Sequence, residues 1–193
     1  MIATPPPSNM SLRVTRNDRI ADGINLLEFR HPDEQQLPEF SAGAHIAVRV
    51  PNGMLRKYSL CNDPKERDRY QIAVKRESTG RGGSCSLIDQ VKTGDELTVT
   101  APVNDFGLPQ RAQDFLFIAG GIGVTPIMAM IRQVMAEGKR FRLFYCSRSP
   151  ETTAFRDELA AAEFKDNVVI HYDEGDVSRS LDLRPILAER KNR

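Results

Sequence analysis

The sequence predicts an all-β unit, either an antiparallel barrel or a sandwich, followed by a parallel α/β layer. Up to about residue 101 the chain reads as short β runs separated by Gly, Pro, Asn and Asp turn signals. After residue 111 buried-strand runs alternate with helical patterns. We therefore predict a β unit over residues 11–104, a linker over 105–112 and an α/β unit over 113–193, preceded by a polar, proline-rich mobile tail over 1–10.

The β unit contains six extended runs. In chain order they are "LRVTRNDRI", "INLLEFR", "HIAVRV", "RKYSL", "YQIAVKR" and "ELTVTA". One segment differs, because "SCSLIDQV" (84–91) has apolar residues at helical spacing and follows the glycines of "GRGGS". We expect one helix there.

The α/β unit opens with the strand "DFLFIAGG" and the helix "VTPIMAMIRQVMAEG". One apolar stripe identifies this helix: Ile127, Met128, Ile131, Val134 and Met135. Thr125 is placed to cap it, Pro126 suits its first turn and Gly138 its end. The strand "RLFYCS", a helix through "AFRDELAAAEF", the strand "NVVIHY" and a helical stretch from about Ser180 complete the pattern.

Composition excludes several classes of protein. The chain has 193 residues, 40% hydrophobic and 27% charged, with a net charge of +1, so no strong field points to nucleic acid or to an anionic membrane. The opening "MIATPPPSNM" lacks a signal pattern and no stretch reaches membrane-spanning length, so we predict a cytoplasmic protein. The three cysteines are widely separated, which argues against a disulfide framework. A cysteine-ligated two-iron cluster needs more thiolates than these three, so the chain cannot hold one alone.

Two loops have the composition of phosphate sites. The glycine loop, "AGGIGVTP" (119–126), joins a strand to a helix N-terminus, where bare backbone suits anionic oxygens. It departs from the usual dinucleotide fingerprint, since Pro126 takes the third glycine position and Ser147 and Arg148 stand where an acid would hold a ribose hydroxyl. A tight turn without a ligand is the alternative.

The second loop with the composition of a phosphate site is the basic loop, "KRESTGRGGS" (75–84). Lys75, Arg76 and Arg81 bring positive charge to a glycine-rich turn, and Ser84 is placed to cap the helix that follows. Residues 56–81 hold eight basic and four acidic side chains, and a solvated basic surface is the alternative. One phosphate loop in each unit suggests two nucleotide-like ligands that meet where the units join.

A third feature is "LRKYSLCND" (55–63), which follows a turn. Alternation puts Arg56 and Tyr58 on one side of a strand and Ser59 on the other. Taken alone, this is also the pattern of an ordinary strand with a surface arginine.

The order of these motifs resembles the ferredoxin-reductase-like flavoproteins, and most closely their phthalate dioxygenase reductase branch, the reductases of aromatic-ring dioxygenases and O-demethylases. The motifs are "RKYSL", "AVKR", "GRGGS", "AGGIGVTP" and "YCSRSPETTAF". The resemblance runs from about residue 11 to the C-terminus and is specific in combination. It implies a six-stranded antiparallel flavin-binding barrel followed by a nucleotide-binding α/β domain.

The resemblance also implies roles for individual residues. Arg56 would reach the flavin phosphate side, Tyr58 would pack on the isoalloxazine and Ser59 would hydrogen-bond near N5, the atom that accepts hydride; Tyr58 and Ser59 are thus the expected catalytic residues. No metal ligands are expected. The remaining cofactor positions are Ala73, Val74 and Lys75 for the ring and ribityl chain, Arg81, Gly82, Gly83 and Ser84 for the flavin phosphate, Thr125 beside the flavin, Gly120, Gly121 and Gly123 for the pyrophosphate, and Ser147 and Arg148 on the nucleotide.

The expected cofactors are FMN and NADH. Arg81 stands where FAD-using members tend to have glycine, and its charge suits a terminal phosphate. Arg148 could meet a 2′-phosphate, which leaves NADPH open. Relatives continue the nucleotide domain with a Cys-Gly-Pro motif and then a plant-type [2Fe-2S] domain, whereas the written sequence ends at "ILAERKNR". We therefore expect either a fragment with an incomplete nucleotide domain or a separate iron–sulfur partner.

The leading hypothesis is a reductase component that passes electrons from NADH through FMN to an iron–sulfur centre and a partner oxygenase or O-demethylase. One alternative is a free-standing flavin or ferric reductase with a small-molecule acceptor. Another is a nucleotide-binding regulatory module without redox turnover. Neither nucleic acid nor membrane is an expected partner.

Overall fold

The computed structural model describes residues 8–191. The first part of the chain forms six strands and one helix: β1 (Asn9–Ala21), β2 (Ile24–Arg30), β3 (His45–Arg49), β4 (Leu55–Ser59), β5 (Tyr70–Lys75), α1 (Gly83–Gln90) and β6 (Glu96–Thr100). The strands form one antiparallel sheet in the order β4-β3-β6-β1-β2-β5. This confirms the predicted six-stranded antiparallel architecture.

The sheet curls so that its two edge strands meet. Leu60, just after β4, forms an isolated bridge with Ile72 of β5, and the Cys61 N–H donates to the Gln71 carbonyl at 2.9 Å. A bridge joins these edges rather than a ladder, so the sheet is barrel-like without being a closed barrel. Its interior is filled by alternating side chains from the strands and by Leu87 of α1, an arrangement that follows from the period of two along each strand.

The predicted mobile tail is wrong at its last two residues. Asn9 and Met10 belong to β1, where they lie opposite Thr100 and Val99 of β6. Met10 packs against the barrel interior, so its burial favours a strand despite the polar sequence around it. Residues 1–7 of the predicted tail lie outside the described residues.

The second part of the chain contains three parallel strands in the order β7-β8-β9. Its elements are β7 (Asp114–Gly120), α2 (Val124–Ala136), β8 (Arg140–Ser147), α3 (Arg156–Leu159), β9 (Val168–Tyr172) and α4 (Leu183–Lys191). Among the described residues, no helix is both long and apolar enough to cross a bilayer.

Helix α2 carries the predicted apolar stripe. Ile127, Met128, Ile131 and Val134 are all at most 5% exposed. The predicted cap is wrong, because α2 begins at Val124 and Thr125 lies in its first turn, where the Thr125 hydroxyl donates to the Ile122 carbonyl at 3.1 Å.

Helix α3 is much shorter than predicted, since only Arg156–Leu159 is helical. Ala154, Leu159 and Phe164 are all buried in the same apolar cluster. They are five residues apart, and five residues of α-helix turn by roughly 500°, so a continuous helix could not present them on one face. The chain instead turns after Leu159 and buries Phe164 separately, although the alanines between them favour helix.

One apolar cluster lies under both units, at the seam where the β unit meets the α/β unit. Ile24, Leu26, Cys61 and Ala73 come from the β unit and pack in the cluster that contains α2 and the inner face of the parallel sheet. Three hydrogen bonds also cross the seam: Arg132 Nη1 to the Cys61 carbonyl at 2.5 Å, the Ala42 N–H to Gln133 Oε1 at 3.2 Å, and the Asp22 N–H to the Glu151 carbonyl at 2.7 Å.

Candidate functional site

The two faces of β4 have different surroundings. Tyr58 lies opposite Ile46 of β3 and packs partly against the barrel interior. Burial raises the pKa of Tyr58, although the nearby positive charge of Arg56 opposes this shift. Arg56 and Tyr58 therefore share a face, as the alternation predicts, and present a cation beside an aromatic ring.

Ser59 lines a cavity of about 270 Å³ together with Lys57 on the other face of β4. The remaining lining residues are Gly43, His45, Asp105 and Phe106. Burial lowers the pKa of His45, and the charge of Lys57 lowers it further. The structure thus separates the Ser59 side chain from Arg56 and Tyr58, and the sequence contained no signal for this cavity.

The start of α1 lies against Arg56. Gly82 is the N-cap residue, and Gly83, the first helical residue, is buried. A Cβ added at Gly83 would lie 2.7 Å from Arg56 Nε, so the guanidinium lies directly over this turn. Two residues that are 27 positions apart in the sequence are thus brought together.

Ser84 does not cap α1. Its hydroxyl accepts a hydrogen bond from the Glu77 N–H at 3.0 Å, and α1 has no side-chain cap. Ser84 closes the basic loop on itself instead. Its hydroxyl is therefore held close to the helix start.

The cations of the basic loop differ in their partners. Arg76 is paired with Asp89 at 2.8 Å, so much of its charge is neutralised. Arg56, Lys75 and Arg81 have no carboxylate within 4.0 Å in the part of the chain that the structure describes. These three cations are therefore available to an anionic ligand.

The other predicted β5 residues are buried. Ala73 is 5% exposed and packs in the seam cluster, whereas Val74 is 1% exposed and packs in the barrel interior. The Val74 side chain is thus occupied by core packing, which leaves its backbone as the part that could contact a ligand. Lys75 ends the strand and is exposed.

The glycine loop presents bare backbone to open space. A Cβ added at Gly120, Gly121 or Gly123 would meet no atom within 4 Å. These glycines lead directly into α2, whose N-terminal N–H groups and dipole favour an anion. Thr125, in the first turn, is 7% exposed, and its hydroxyl already has a partner.

The glycine loop shares an edge with the ends of β8 and β9. Gly120 lies beside Cys146, and Cys146 lies beside His171. Ser147 is buried, with its hydroxyl 3.3 Å from Thr152 Oγ1, while Arg148 is exposed. Carboxyl ends of parallel strands form the usual ligand crevice of such sheets, so Arg148 has access to a ligand there and the Ser147 side chain has less.

The glycine loop lies next to a strand of the β unit. The turn at Gly121–Gly123 lies beside β5, the strand that leads into the basic loop. The hydrogen bond from Thr79 lowers the pKa of Glu77, and the charges of Lys75 and Arg148 lower it further, so Arg148 lies within electrostatic range of the basic loop. A ligand on each loop would therefore approach the other.

A larger cleft of about 840 Å³ also lies along the seam, but no predicted site residue lines it. Several arginines line it, and their charges are matched by acids: Arg69 pairs with Glu66 at 2.7 Å, and Arg132 pairs with Glu158. By contrast, Arg56, Lys75 and Arg81 have no such acidic partner among the described residues.

Comparison with protein families finds two domains in the chain. Residues 11–107 match the oxidoreductase FAD-binding domain, and residues 117–181 match the oxidoreductase NAD-binding domain. The first range contains β4 and the basic loop. The second contains the whole glycine loop and the ends of β8 and β9.

The chain is also similar to individual reductases of oxygenase systems. The chain is 52% identical over 176 residues to the phthalate 4,5-dioxygenase oxygenase reductase subunit of Pseudomonas putida, covering 91% of this chain and 54% of that protein. It is 45% identical over 175 residues to the vanillate O-demethylase oxidoreductase of Pseudomonas putida, covering 91% of this chain and 54% of that protein. The chain thus spans about half the length of the curated relatives it matches.

The fold is shared with a solved structure. Phthalate dioxygenase reductase, described as a modular structure for electron transfer from pyridine nucleotides to [2Fe-2S], superimposes with a TM-score of 0.92 at 48% identity. The match covers 93% of this chain and 56% of that structure.

Proposed function

The chain belongs to the oxidoreductase family that joins a flavin-binding domain to an NAD-binding domain, in its phthalate dioxygenase reductase-like branch, and from this premise we propose that it carries electrons from NADH through FMN to an iron–sulfur centre and a partner oxygenase or O-demethylase. The observation that carries the proposal is that the turn at Gly121–Gly123 lies beside β5, the strand that leads into the basic loop. Each loop suits phosphate oxygens, and together they would bring two nucleotide-like ligands into contact.

The residues at the basic loop fit a flavin mononucleotide. Arg56, Lys75 and Arg81 supply cations for a phosphate, and the backbone at Gly82 and Gly83 supplies donors at the start of α1. Tyr58 offers an aromatic face on the same side of β4 as Arg56. A bound flavin would supply hydride acceptance from nicotinamide and delivery of single electrons to an acceptor. The chain's own residues would hold it and orient it.

FMN rather than FAD is proposed because a terminal phosphate suits a helix start that has Arg81 just before it in the chain and the Arg56 side chain over it. Mass spectrometry of the cofactor released from the purified protein tests this proposal. We expect FMN as the major species. A preparation that contains mainly FAD would show that the basic loop binds an internal phosphate.

The cations of the basic loop provide a matched test. We expect Lys75→Ala and Arg81→Ala each to weaken FMN binding by about 1.5–3 kcal/mol, the scale of a charge-assisted hydrogen bond. Arg76→Ala is the control, since Arg76 lies in the same loop but is paired with Asp89. Titration of the apoprotein with FMN measures all three. Equal weakening in all three variants would indicate a diffuse basic surface rather than a phosphate site.

The glycine loop is the proposed site of the pyridine nucleotide. Gly120, Gly121 and Gly123 would bind its pyrophosphate through bare backbone, and Arg148 would lie near its adenosine end. NADH is the proposed electron donor. Dissociation constants of NADH and NADPH for the wild-type protein and for Arg148→Ala test this choice, and we expect the wild type to bind NADH more tightly.

The electron acceptor separates this proposal from a free-standing flavin or ferric reductase. We expect NADH oxidation by the flavin-loaded protein to be stimulated by an added [2Fe-2S] protein from an oxygenase system. Free flavin and ferric chelates are the comparison acceptors. Turnover with the small acceptors alone would favour the free-standing reductase, and the absence of bound flavin would favour a regulatory module.

A further inference from the structure

Arg132 links the two units at a position that no motif marks. It lies on α2, with its side chain 22% exposed. Arg132 Nη1 donates to the Cys61 carbonyl at 2.5 Å, and Arg132 Nη2 donates to Glu158 Oε1. The guanidinium therefore bridges the chain just after β4 and the short helix α3.

The Cys61 carbonyl lies at a structurally important point of the β unit. Cys61 follows β4 by two residues, and its N–H donates to the Gln71 carbonyl of β5 at 2.9 Å. The adjacent Leu60 bridges Ile72 of β5. Arg132 thus holds the chain where the strand that carries Tyr58 joins the strand that leads to Lys75.

The other end of this connection is the glycine loop. Helix α2 is continuous from Val124 to Ala136, and its buried face includes Ala129 and Ile131, both 0% exposed. Seven residues separate Thr125 from Arg132, a rise of roughly 10 Å along the helix axis. A helix packed in this way moves as one body, so a contact at Arg132 constrains the position of the glycine loop at its N-terminus.

We propose that Arg132 is a positioning residue for electron transfer, which sets the distance between the nucleotide on the glycine loop and the flavin beside β4. This inference rests on the proposed function. Hydride transfer requires the reacting atoms to lie about 3–3.5 Å apart, and a displacement of about 1 Å can reduce the rate roughly 100-fold. A hydrogen bond from a charged donor across the seam limits such displacement.

Two variants and a control test the proposal. Arg132→Met keeps the aliphatic stem and removes every donor, whereas Arg132→Lys keeps the charge and can reach one acceptor but cannot span both. Arg140→Met is the control, because Arg140 forms an ion pair with Asp114 at 2.5 Å within the α/β unit and its side chain is 81% exposed. Melting temperatures check that each variant is folded.

The first readout is the rate at which NADH bleaches the flavin in stopped flow at saturating NADH. We expect a decrease of roughly 10- to 100-fold in Arg132→Met and a smaller decrease in Arg132→Lys. The dissociation constant of the flavin should be unchanged in both, because Arg132 does not line the flavin site. Arg140→Met should match the wild type.

The second readout needs neither ligand. The amides of Asp22 and Ala42 donate to acceptors across the seam, whereas the amide of Val14 donates within the β unit to Asp95. We expect hydrogen exchange at Asp22 and Ala42 to accelerate in Arg132→Met while exchange at Val14 does not. Wild-type exchange at all three positions in Arg132→Met would show that Arg132 does not hold the seam.

The outcomes separate this inference from the proposed function. If NADH fails to reduce the flavin of the wild-type protein, the proposed function is wrong and this inference is wrong with it. If the wild type is reduced and both Arg132 variants are reduced at the same rate, only the positioning role is overturned. A slower reduction that coincides with weaker flavin binding would likewise count against positioning.

Discussion

Gly83 provides the space that Arg56 occupies at the start of α1. Both residues stand out in the sequence, one in a glycine-rich turn and the other in a strand, but no pattern shows that they touch. In the structure a Cβ at Gly83 would lie 2.7 Å from Arg56 Nε and 3.1 Å from Arg56 Cγ. A single methyl group would therefore move the guanidinium from its place over the helix start.

We predict that Gly83→Ala weakens flavin binding by about 1–2 kcal/mol, because Arg56 loses its position relative to the phosphate. The free energy of unfolding should change little, since the displaced atoms belong to a flexible side chain and alanine suits a helix. Flavin titration and urea unfolding measure the two effects. Gly80→Ala is the control, since its Cβ would make only ordinary contacts, 3.5 Å from Glu77. Unchanged flavin affinity in Gly83→Ala would remove Arg56 from the site.

Glu28 is a charged residue inside the β unit, and the sequence does not mark it. It is 7% exposed. Burial by itself would raise the pKa of Glu28, but hydrogen bonds from Arg30, Thr15, Gln71 and Arg69 outweigh burial and lower the pKa from 4.5 to about 2. Because the folded state holds the ionised form, Glu28 stabilises the fold above pH 4.5, and this stability is lost as the pH falls towards 2.

We predict that the wild type loses about 3 kcal/mol more stability between pH 4.5 and pH 2 than Glu28→Gln does. Urea unfolding at a series of pH values measures the difference. Glu39→Gln is the control, because Glu39 pairs with Arg67 at the surface and its side chain is 77% exposed. Parallel pH profiles for the wild type and Glu28→Gln would show that the hydrogen bonds to Glu28 do not favour its charged form.

At the scale of elements, the sequence predicted those whose apolar spacing is regular. All nine strands of residues 8–191 lie where alternating or buried runs predict them, and α2 follows its apolar stripe. The predictions fail where tertiary contacts override local preference. Ala154, Leu159 and Phe164 share one apolar cluster although their spacing does not fit a helix. The Ser84 hydroxyl accepts from the Glu77 N–H within the basic loop and does not cap α1.

The chain before β3 packs closely against the loop after β6, and this contact depends on one glycine. Gly43 has φ +95°, and a Cβ there would lie 2.0 Å from the Phe106 carbonyl oxygen. That loop carries Asp105 and Phe106, which line the cavity beside Ser59. The Phe106 backbone would have to move to admit any side chain at Gly43.

We predict that Gly43→Ala destabilises the protein by about 1–3 kcal/mol more than Gly53→Ala does. Gly53 has φ +81° but nothing within 4 Å of an added Cβ, so both variants strain the backbone and only Gly43→Ala adds the clash. The difference in urea midpoints isolates the contact. Equal destabilisation would show that the loop after β6 gives way at little cost.

At the scale of the whole molecule, the sequence predicted two units and two loops but not how they are joined. One phosphate-type loop in each unit led to the expectation that two ligands meet, and the structure places the turn at Gly121–Gly123 beside β5, the strand that leads into the basic loop. The units are held in place by a shared cluster and by three hydrogen bonds, two of which involve side chains outside every motif: Arg132 donates to the Cys61 carbonyl, and Gln133 accepts from the Ala42 N–H. Such contacts join residues that are far apart in the sequence and close in space, so local spacing cannot reveal them.

We predict that the two units unfold together. Separating them would expose Ile24, Leu26 and Ala73 to water along with the facing side chains of α2, and exposure of buried apolar area is costly. Calorimetry should therefore show one transition, with equal calorimetric and van't Hoff enthalpies. Two resolved transitions would show that the seam cluster contributes too little to couple the units.

The seam cluster also limits how freely parts of this protein can be exchanged with those of its relatives. A chimera made by recombination within residues 105–112 would keep every residue of the basic loop and of the glycine loop. It would nevertheless set Ile24, Leu26 and Cys61 against foreign side chains at the positions of Met128 and Ile131. Protein interiors are close-packed, so even one extra methylene group in the core lowers stability. Functional chimeras should therefore be recovered mainly when the residues on both sides of the seam come from the same parent. A working exchange must carry the interface as a whole, not one domain alone.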